Sequence, residues 1–237
     1  LNIIAIETSS SYGSIAIYKS NKITFIGFLD IKVTHSERLL PQIDYGLKYS
    51  DLSLNDIDLV CLGIGPGSFT GIRIGLATAK GLCFGNQIPL MVFNTLDILA
   101  HNLYRPTDSV LAMIDARMGE IYAALYDNDF NILIPPCNSK PDMIFKKINS
   151  RIIVIGDGYF KYEELLKQMR IDYLPAPVNL HIPLASTMIG MYLQNKIKVN
   201  YDFNYIADLE PNYLRKSQAE LVKENKRRNN DRETELA

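Results

Sequence analysis

The sequence predicts an α/β protein built from a duplicated unit, with two mixed-sheet lobes in one chain of 237 residues. Three observations carry this reading. A short apolar run, Asp58-Leu59-Val60-Cys61-Leu62, enters the turn Gly63-Ile64-Gly65-Pro66-Gly67 and leaves it in a helical pattern. The opening run Ile3 to Glu7, apolar and ending in an acid, is followed by Gly13 and the strand pattern Ile15 to Tyr18. That series returns as Val110 to Asp115, Gly119, and Ile121 to Tyr126. Then Ile152 to Ile155, Gly156-Asp157-Gly158 and the helical pattern Lys161 to Met169 repeat the strand, glycine turn and helix. Two echoes in the same order point to a duplication.

Composition bounds the class of protein. The chain is 47% hydrophobic and 22% charged, as in soluble globular proteins. A net charge of −1 gives no global basic field for nucleic acid, although a local basic patch stays open. Cys61, Cys83 and Cys137 have no CxxC spacing, and an odd count fits a reducing compartment. No run reaches the roughly 18 apolar residues of a membrane span. The first residues lack a charged segment ahead of a signal-type apolar core, so the expectation is a cytoplasmic protein. The chain opens on Leu1 rather than Met, and a start residue is expected ahead of it.

In chain order, Asn2 to Glu7, Ser14 to Tyr18 and Ile23 to Leu29 read as a three-stranded meander. Thr34-His35-Ser36-Glu37 fits a capping box opening a helix, with Leu39, Leu40, Ile43 and Leu47 on one face and a kink expected at Pro41. The central helix after the glycine turn carries Gly71, Gly75 and Gly81, each costing about 0.5–1 kcal/mol against Ala. Its Ile72, Gly75, Leu76, Ala79, Leu82 and Cys83 share one face, and Ile74, Ala77, Thr78 and Gly81 the other, with Arg73 and Lys80 as the charged stripe. A helix apolar on two sides is buried on two sides. One side is expected on the sheet, and the small side against a second helix. A strand at Pro89 to Phe93 and a helix from about Thr95 to Tyr104 complete a first lobe, residues 1–104. After Arg105-Pro106-Thr107-Asp108 comes a second, less complete lobe, residues 105–215, with helices expected at Leu184 to Asn195 and near Asp208 to Leu214. The charged tail, residues 216–237, is expected to be disordered beyond about Leu221.

Few residues have spacing that implies chemistry. A strand followed by a Gly-rich turn and a helix offers backbone N–H groups to an anion, yet it serves equally as a tight turn for close packing. No Walker A Lys-Ser or Lys-Thr pair follows the glycines. Glu7 and Asp115 end the two opening strands, either as carboxylates near a phosphate or metal, or as acids facing water. Glu7, Thr8, Gly65, Gly67 and Ser68 are therefore the candidate phosphate or nucleotide residues. His35, His101 and His181 lie far apart, with neither HxxxH nor HExxH, so no metal site is expected. Ser9, Ser10 and Ser68 lack a GxSxG elbow, and no catalytic residue emerges.

Several stretches resemble the TsaB family. They are Ile-Ala-Ile-Glu7-Thr8-Ser9, Thr34-His35-Ser36-Glu37-Arg38-Leu39-Leu40-Pro41, Asp115-Ala116-Arg117 and Glu210-Pro211-x-Tyr213-Leu214-Arg215. The specific one is Gly63-x-Gly65-Pro66-Gly67-Ser68-Phe69-Thr70-Gly71-x-Arg73-x-Gly75. The resemblance implies a duplicated actin-like, sugar-kinase-like fold and a role in tRNA modification. TsaB-like proteins support TsaD, which transfers a threonylcarbamoyl group to the adenosine beside the anticodon, and the ATPase TsaE joins them. TsaD-like enzymes carry an HxxxH metal motif that this chain lacks. The expectation is thus a non-catalytic subunit with no cofactor of its own, ATP or ADP entering only with the complex. It meets tRNA indirectly, and a homodimer through the same helix stays open beside a free monomer. The partner surface is expected at Gly71, Ile74, Ala77, Thr78 and Gly81, with His35 and Leu39 from the Thr34 helix. The alternative is a self-standing ATPase, kinase or peptidase of the actin-like fold.

Overall fold

Apolar runs long enough for a strand but too short for a helix dominate this chain, and they assemble into two sheets. The computed structural model describes residues 1–30, 35–195 and 197–215. The first half folds as β1 (Ile3–Glu7), β2 (Tyr12–Lys19), β3 (Lys22–Asp30), α1 (His35–Tyr49), β4 (Leu59–Gly63), α2 (Phe69–Asn86), β5 (Leu90–Phe93) and α3 (Thr95–His101). The second folds as β6 (Ser109–Arg117), β7 (Glu120–Tyr126), β8 (Ile132–Ser139), α4 (Pro141–Phe145), β9 (Ile152–Ile155), α5 (Gly158–Gln168), β10 (Tyr173–Pro175), α6 (Ala185–Asn195) and α7 (Phe203–Asp208).

The two sheets have the same topology. The first is ordered β3-β2-β1-β4-β5, and the second β8-β7-β6-β9-β10. In each, three antiparallel strands are followed by two parallel ones; β1 pairs in parallel with β4, and β6 with β9. The inner strands β1 and β4 are buried along their whole length, which explains their unbroken apolar sequences.

The halves exchange helices. From α3, Leu96, Leu99 and Ala100 pack in a core with Val110, Ala112 and Tyr126 of the second sheet. From α6, Ala185, Met188 and Ile189 pack with Ile3, Ala5 and Cys61 of the first. Ile206 of α7 joins the first core too. The boundaries 1–104 and 105–215 therefore do not describe the packing beyond residue 184. Residues 185–209 return to the first sheet, because both faces of β1 and β4 need apolar cover. The crossover is tied by Asn102, whose amide donates to Leu180 O at 2.9 Å and Ile182 O at 2.7 Å while accepting from Thr187 Oγ1 at 2.6 Å.

Other sequence expectations change. Leu40 faces solvent rather than the core face of Leu39, Ile43 and Leu47. The expected Asp208–Leu214 helix is instead α7, ending at Asp208, because Pro211 disfavours helical geometry at the residue before it. Strand β8 was not expected, since it contains Pro135 and Pro136; at the edge of a sheet the missing N–H groups are tolerated. The capping residue Thr34 and the tail 216–237 lie outside the described residues, and His35 is placed only as the first residue of α1.

Helix α2 needs glycine where it crosses β1. A Cβ on Gly75 would collide with the hydroxyl of Thr8, which donates to Gly71 O at 2.8 Å. Gly75→Ala is expected to destabilise the fold by about 1–3 kcal/mol through overpacking. A thermal melt lowered by several degrees is the check; an unchanged melt would show that Thr8 moves aside freely.

Candidate functional site

Two surfaces merit description, the outer face of α1 and α2 and the cleft between the lobes. On α2, Gly71, Ile72, Gly75, Leu76, Ala79, Leu82 and Cys83 are buried. Ala77, Gly81 and Gly85 form an exposed stripe, flanked by half-buried Ile74 and Thr78. Among the described residues, a Cβ on Gly81 or Gly85 would meet nothing within 4 Å. Beside the stripe, Leu40, Ile43, Leu47, Leu52, Leu54 and Leu82 line an open groove of about 480 Å³. An Asp44–Lys48 ion pair of 2.6 Å lies at its rim.

Two residues expected at the partner surface are corrected. Leu39 is 1% exposed and belongs to the first core, since it points to the sheet when Leu40 points out. Gly71 is buried where α2 meets the end of β1, as its bond from Thr8 requires.

The candidate phosphate residues do not form one site. Glu7 and Thr8 are fully buried and Gly65 is buried as well, packed near Ile72 and Asn212, so a ligand would not reach them. Glu7 neither faces water nor approaches the cleft. Its Oε1 accepts from Ser9 N at 2.5 Å, and its Oε2 has no hydrogen-bond partner among the described residues. Burial pushes its pKa from 4.5 up to about 7, against the hydrogen bonds from Ser9 and Thr8 that favour the anion. Gly63 has no Cβ because one would collide with this carboxylate. The glycine turn is itself clamped, with Ser68 N donating to Ser9 O at 2.6 Å and Gly71 N to Ser68 Oγ at 3.3 Å. This supports the tight-turn reading of the glycines. Of the five residues, Gly67 and Ser68 line the cleft.

The cleft has a volume of about 660 Å³ and takes walls from both halves. Ser9, Ser10, Ser68, Phe69 and Arg73 come from the first, and Ile114, Asp115, Arg117, Met118, Tyr122 and Asp157 from the second. Asp115 is held by Lys161 at 2.7 Å and Arg117 at 3.3 Å. Asp157 accepts from Asp115 N at 3.0 Å, yet burial raises its pKa. The segment after α7 crosses the cleft as a strap. Tyr213 stacks on Phe69 with ring centroids 4.4 Å apart and accepts from Arg73 Nε at 2.6 Å. Arg215 reaches Ala116 O at 3.2 Å and Glu120 at 3.6 Å on the other lobe.

Sequence reasoning singled out none of Arg73, Arg117, Lys161, Tyr213 or Arg215 as site residues. Two signals were available: Arg73 is the only charged residue in the first half of α2, and Asp115-Ala116-Arg117 repeats the position of Glu7.

Two lobes of equal topology that exchange helices around a cleft define a duplicated actin-like α/β protein. The TsaD family model, described as tRNA N6-adenosine threonylcarbamoyltransferase, matches residues 31–221. The tRNA threonylcarbamoyladenosine biosynthesis protein TsaB of Escherichia coli (strain K12) is 31% identical over 232 residues, covering 92% of this chain and 96% of that protein. The chain belongs to the TsaB family. The Haemophilus influenzae TsaB is 40% identical over 124 residues, 52% of each chain. Among solved structures, YeaZ from Pseudomonas aeruginosa shares the fold, with a TM-score of 0.72 at 24% identity over 90% of this chain and 99% of that one. Among the described residues no group of three or more His, Cys, Asp or Glu side chains is arranged to hold a metal ion, and no helix is long and apolar enough to cross a membrane.

Proposed function

We propose that this protein is the non-catalytic subunit of tRNA threonylcarbamoyladenosine synthesis that docks on TsaD through the outer face of α1 and α2. The observation that carries the surface is the exposed Ala77–Gly81–Gly85 stripe. Gly75 is explained by Thr8, but no described residue requires glycine at 81 or 85. Each costs about 0.5–1 kcal/mol of helix stability against Ala. Close approach of a partner helix accounts for that cost, and the groove at Leu40 and Leu82 extends the same surface. Ile74, Ala77, Thr78 and Gly81 belong to this proposed surface. A second copy of the chain uses the same face when TsaD is absent. TsaE joins the assembled complex, tRNA is met through TsaD, and the protein works in the cytoplasm.

The reading as a self-standing ATPase or kinase is disfavoured by Glu7, which is sealed under the glycine turn where it cannot orient a phosphate or a metal.

Mixing the chain with TsaD and measuring the mass of the complex tests the proposal; two separate species at micromolar concentration would refute it. Gly81→Ala and Gly85→Ala together are expected to stabilise the free chain by about 1–2 kcal/mol while weakening TsaD binding. Denaturant melts and binding isotherms on the same variant check both halves. Unweakened binding would place the interface elsewhere.

A further inference from the structure

The docking face has two flanks, and only one of them is apolar. Across the small stripe from the groove at Leu40 and Leu82, α2 turns Arg73, Ala77 and Lys80 toward a second open pocket of about 400 Å³. Steps of four and then three residues set these side chains on one face of the helix. The strap supplies the far wall with Glu210, Pro211 and Tyr213. Ala77 lies between the two cations in sequence, and its short side chain leaves room there.

Both cations are held in place without a carboxylate. Arg73 Nε donates to the Tyr213 hydroxyl at 2.6 Å, and its guanidinium lies 5.8 Å and 5.6 Å from the ring centroids of Phe69 and Tyr213. Lys80 Nζ donates to Ala207 O at 2.7 Å, one of the three bonds an ammonium can give. Among the described residues neither cation makes an ion pair, and neither does Glu210. The pocket thus has two cations against one carboxylate. Cations that are already positioned lose little freedom when an anion arrives.

The occupant follows from the continuity of this pocket with the docking face. A partner helix laid against Ala77, Gly81 and Gly85 brings its own flank over the pocket. We propose that a carboxylate on the docking helix of TsaD seats between Arg73 and Lys80 over Ala77, and that these two cations select TsaD over a second copy of the chain. This rests on the docking reading above. Helix α2 contains no Asp or Glu, and Asp44 of α1 is already held by Lys48 at 2.6 Å. A second copy laid on this face through α2 brings cations toward cations, with no carboxylate from α2 to offset them. The fit also fixes the rotation of the docked TsaD helix. Its acid turns to Arg73 and Lys80, and its apolar residues turn to Leu40 and Leu82.

Binding isotherms with TsaD at low and high salt, beside sedimentation of the chain alone, test this. Wild-type affinity for TsaD is expected to fall as salt rises, because the ion pair is screened. Lys80→Gln and Arg73→Gln are each expected to weaken TsaD binding by about tenfold, as loss of a charge-assisted hydrogen bond implies, and to flatten the salt dependence. Neither is expected to weaken self-association of the free chain. Lys80→Glu is expected to weaken TsaD binding further still. Thermal melts without TsaD verify folding, and Lys80 is the cleaner probe because Arg73 also holds the strap. The proposal is overturned if Lys80→Gln binds TsaD as tightly as wild type with the same salt dependence. It is equally overturned if the variants lose TsaD binding and self-association to the same extent. A wild-type chain that does not bind TsaD overturns the docking reading and this proposal with it. Wild-type binding with unaffected variants overturns this proposal alone.

Discussion

Ala77→Arg is expected to abolish TsaD binding while the chain stays folded, and Leu76→Arg, one residue earlier, to unfold it. Ala77 is exposed on the small stripe, and its Cβ direction is that of Gly81 and Gly85, one and two turns on. An arginine there extends into solvent without cost to the free chain, but it holds a partner helix away from the backbone. The same change should remove any self-association through this face. Leu76 is buried in the first core with Ile4, Leu62 and Leu82. Arginine at that position would bring an unpaired charge into an apolar layer, a penalty on the order of several kcal/mol, comparable to the whole stability of a typical domain. Circular dichroism and sedimentation, with and without TsaD, separate the two effects. Equal unfolding of both variants would make residue 77 part of the core.

Glu7 is expected to make the protein less stable as pH rises from about 4.5 to about 7. Its folded pKa lies above its ordinary value. Between the two values the folded chain keeps a proton that the unfolded chain has released, so unfolding is favoured as pH climbs through this window. Above it the loss is complete and constant. The difference corresponds to about 3 kcal/mol, an order-of-magnitude figure for a fully buried carboxylate. Glu7→Gln keeps the acceptor for Ser9 N and removes the titration. Urea unfolding at pH 5 and pH 8 should show wild-type stability falling while the variant changes by about 1 kcal/mol or less from this position. Parallel behaviour of the two proteins would mean that water reaches the carboxylate.

Much of this fold could be read from the residues because local patterns and buried faces agreed. The apolar runs at Ile3, Leu59, Val110 and Ile152 became inner strands, since a strand covered on both sides has no polar alternation to obscure it. The buried face of α2 followed from helical spacing alone. Strand β8 was hidden by its two prolines. Leu40 was misplaced because an apolar residue beside an apolar face looks local to it, and only the groove at Leu82 shows it as surface.

The candidate sites divide along the same line. Ala77 and Gly81 were legible as a surface because glycine inside a helix is anomalous wherever it occurs. The roles of the three helix glycines were not: the sequence treats Gly71, Gly75 and Gly81 alike. The tertiary structure places the first two against the end of β1 and leaves the third open, since only packing shows what a Cβ would meet. Glu7 likewise reads either as a ligand-binding carboxylate or as an acid facing water until β4 and the glycine turn close over it. The cleft depends on contacts between distant segments: it is formed where Phe69 and Arg73 face Asp115 and Arg117, and where Tyr213 returns from the far end of the chain to stack on Phe69. Hydrophobic periodicity is a property of neighbours in sequence, so it specifies strands, helices and their buried faces. The pairing of charges across two lobes, and the exchange of α3 and α6 that brings those lobes together, arise only when distant segments compete to cover the same sheets.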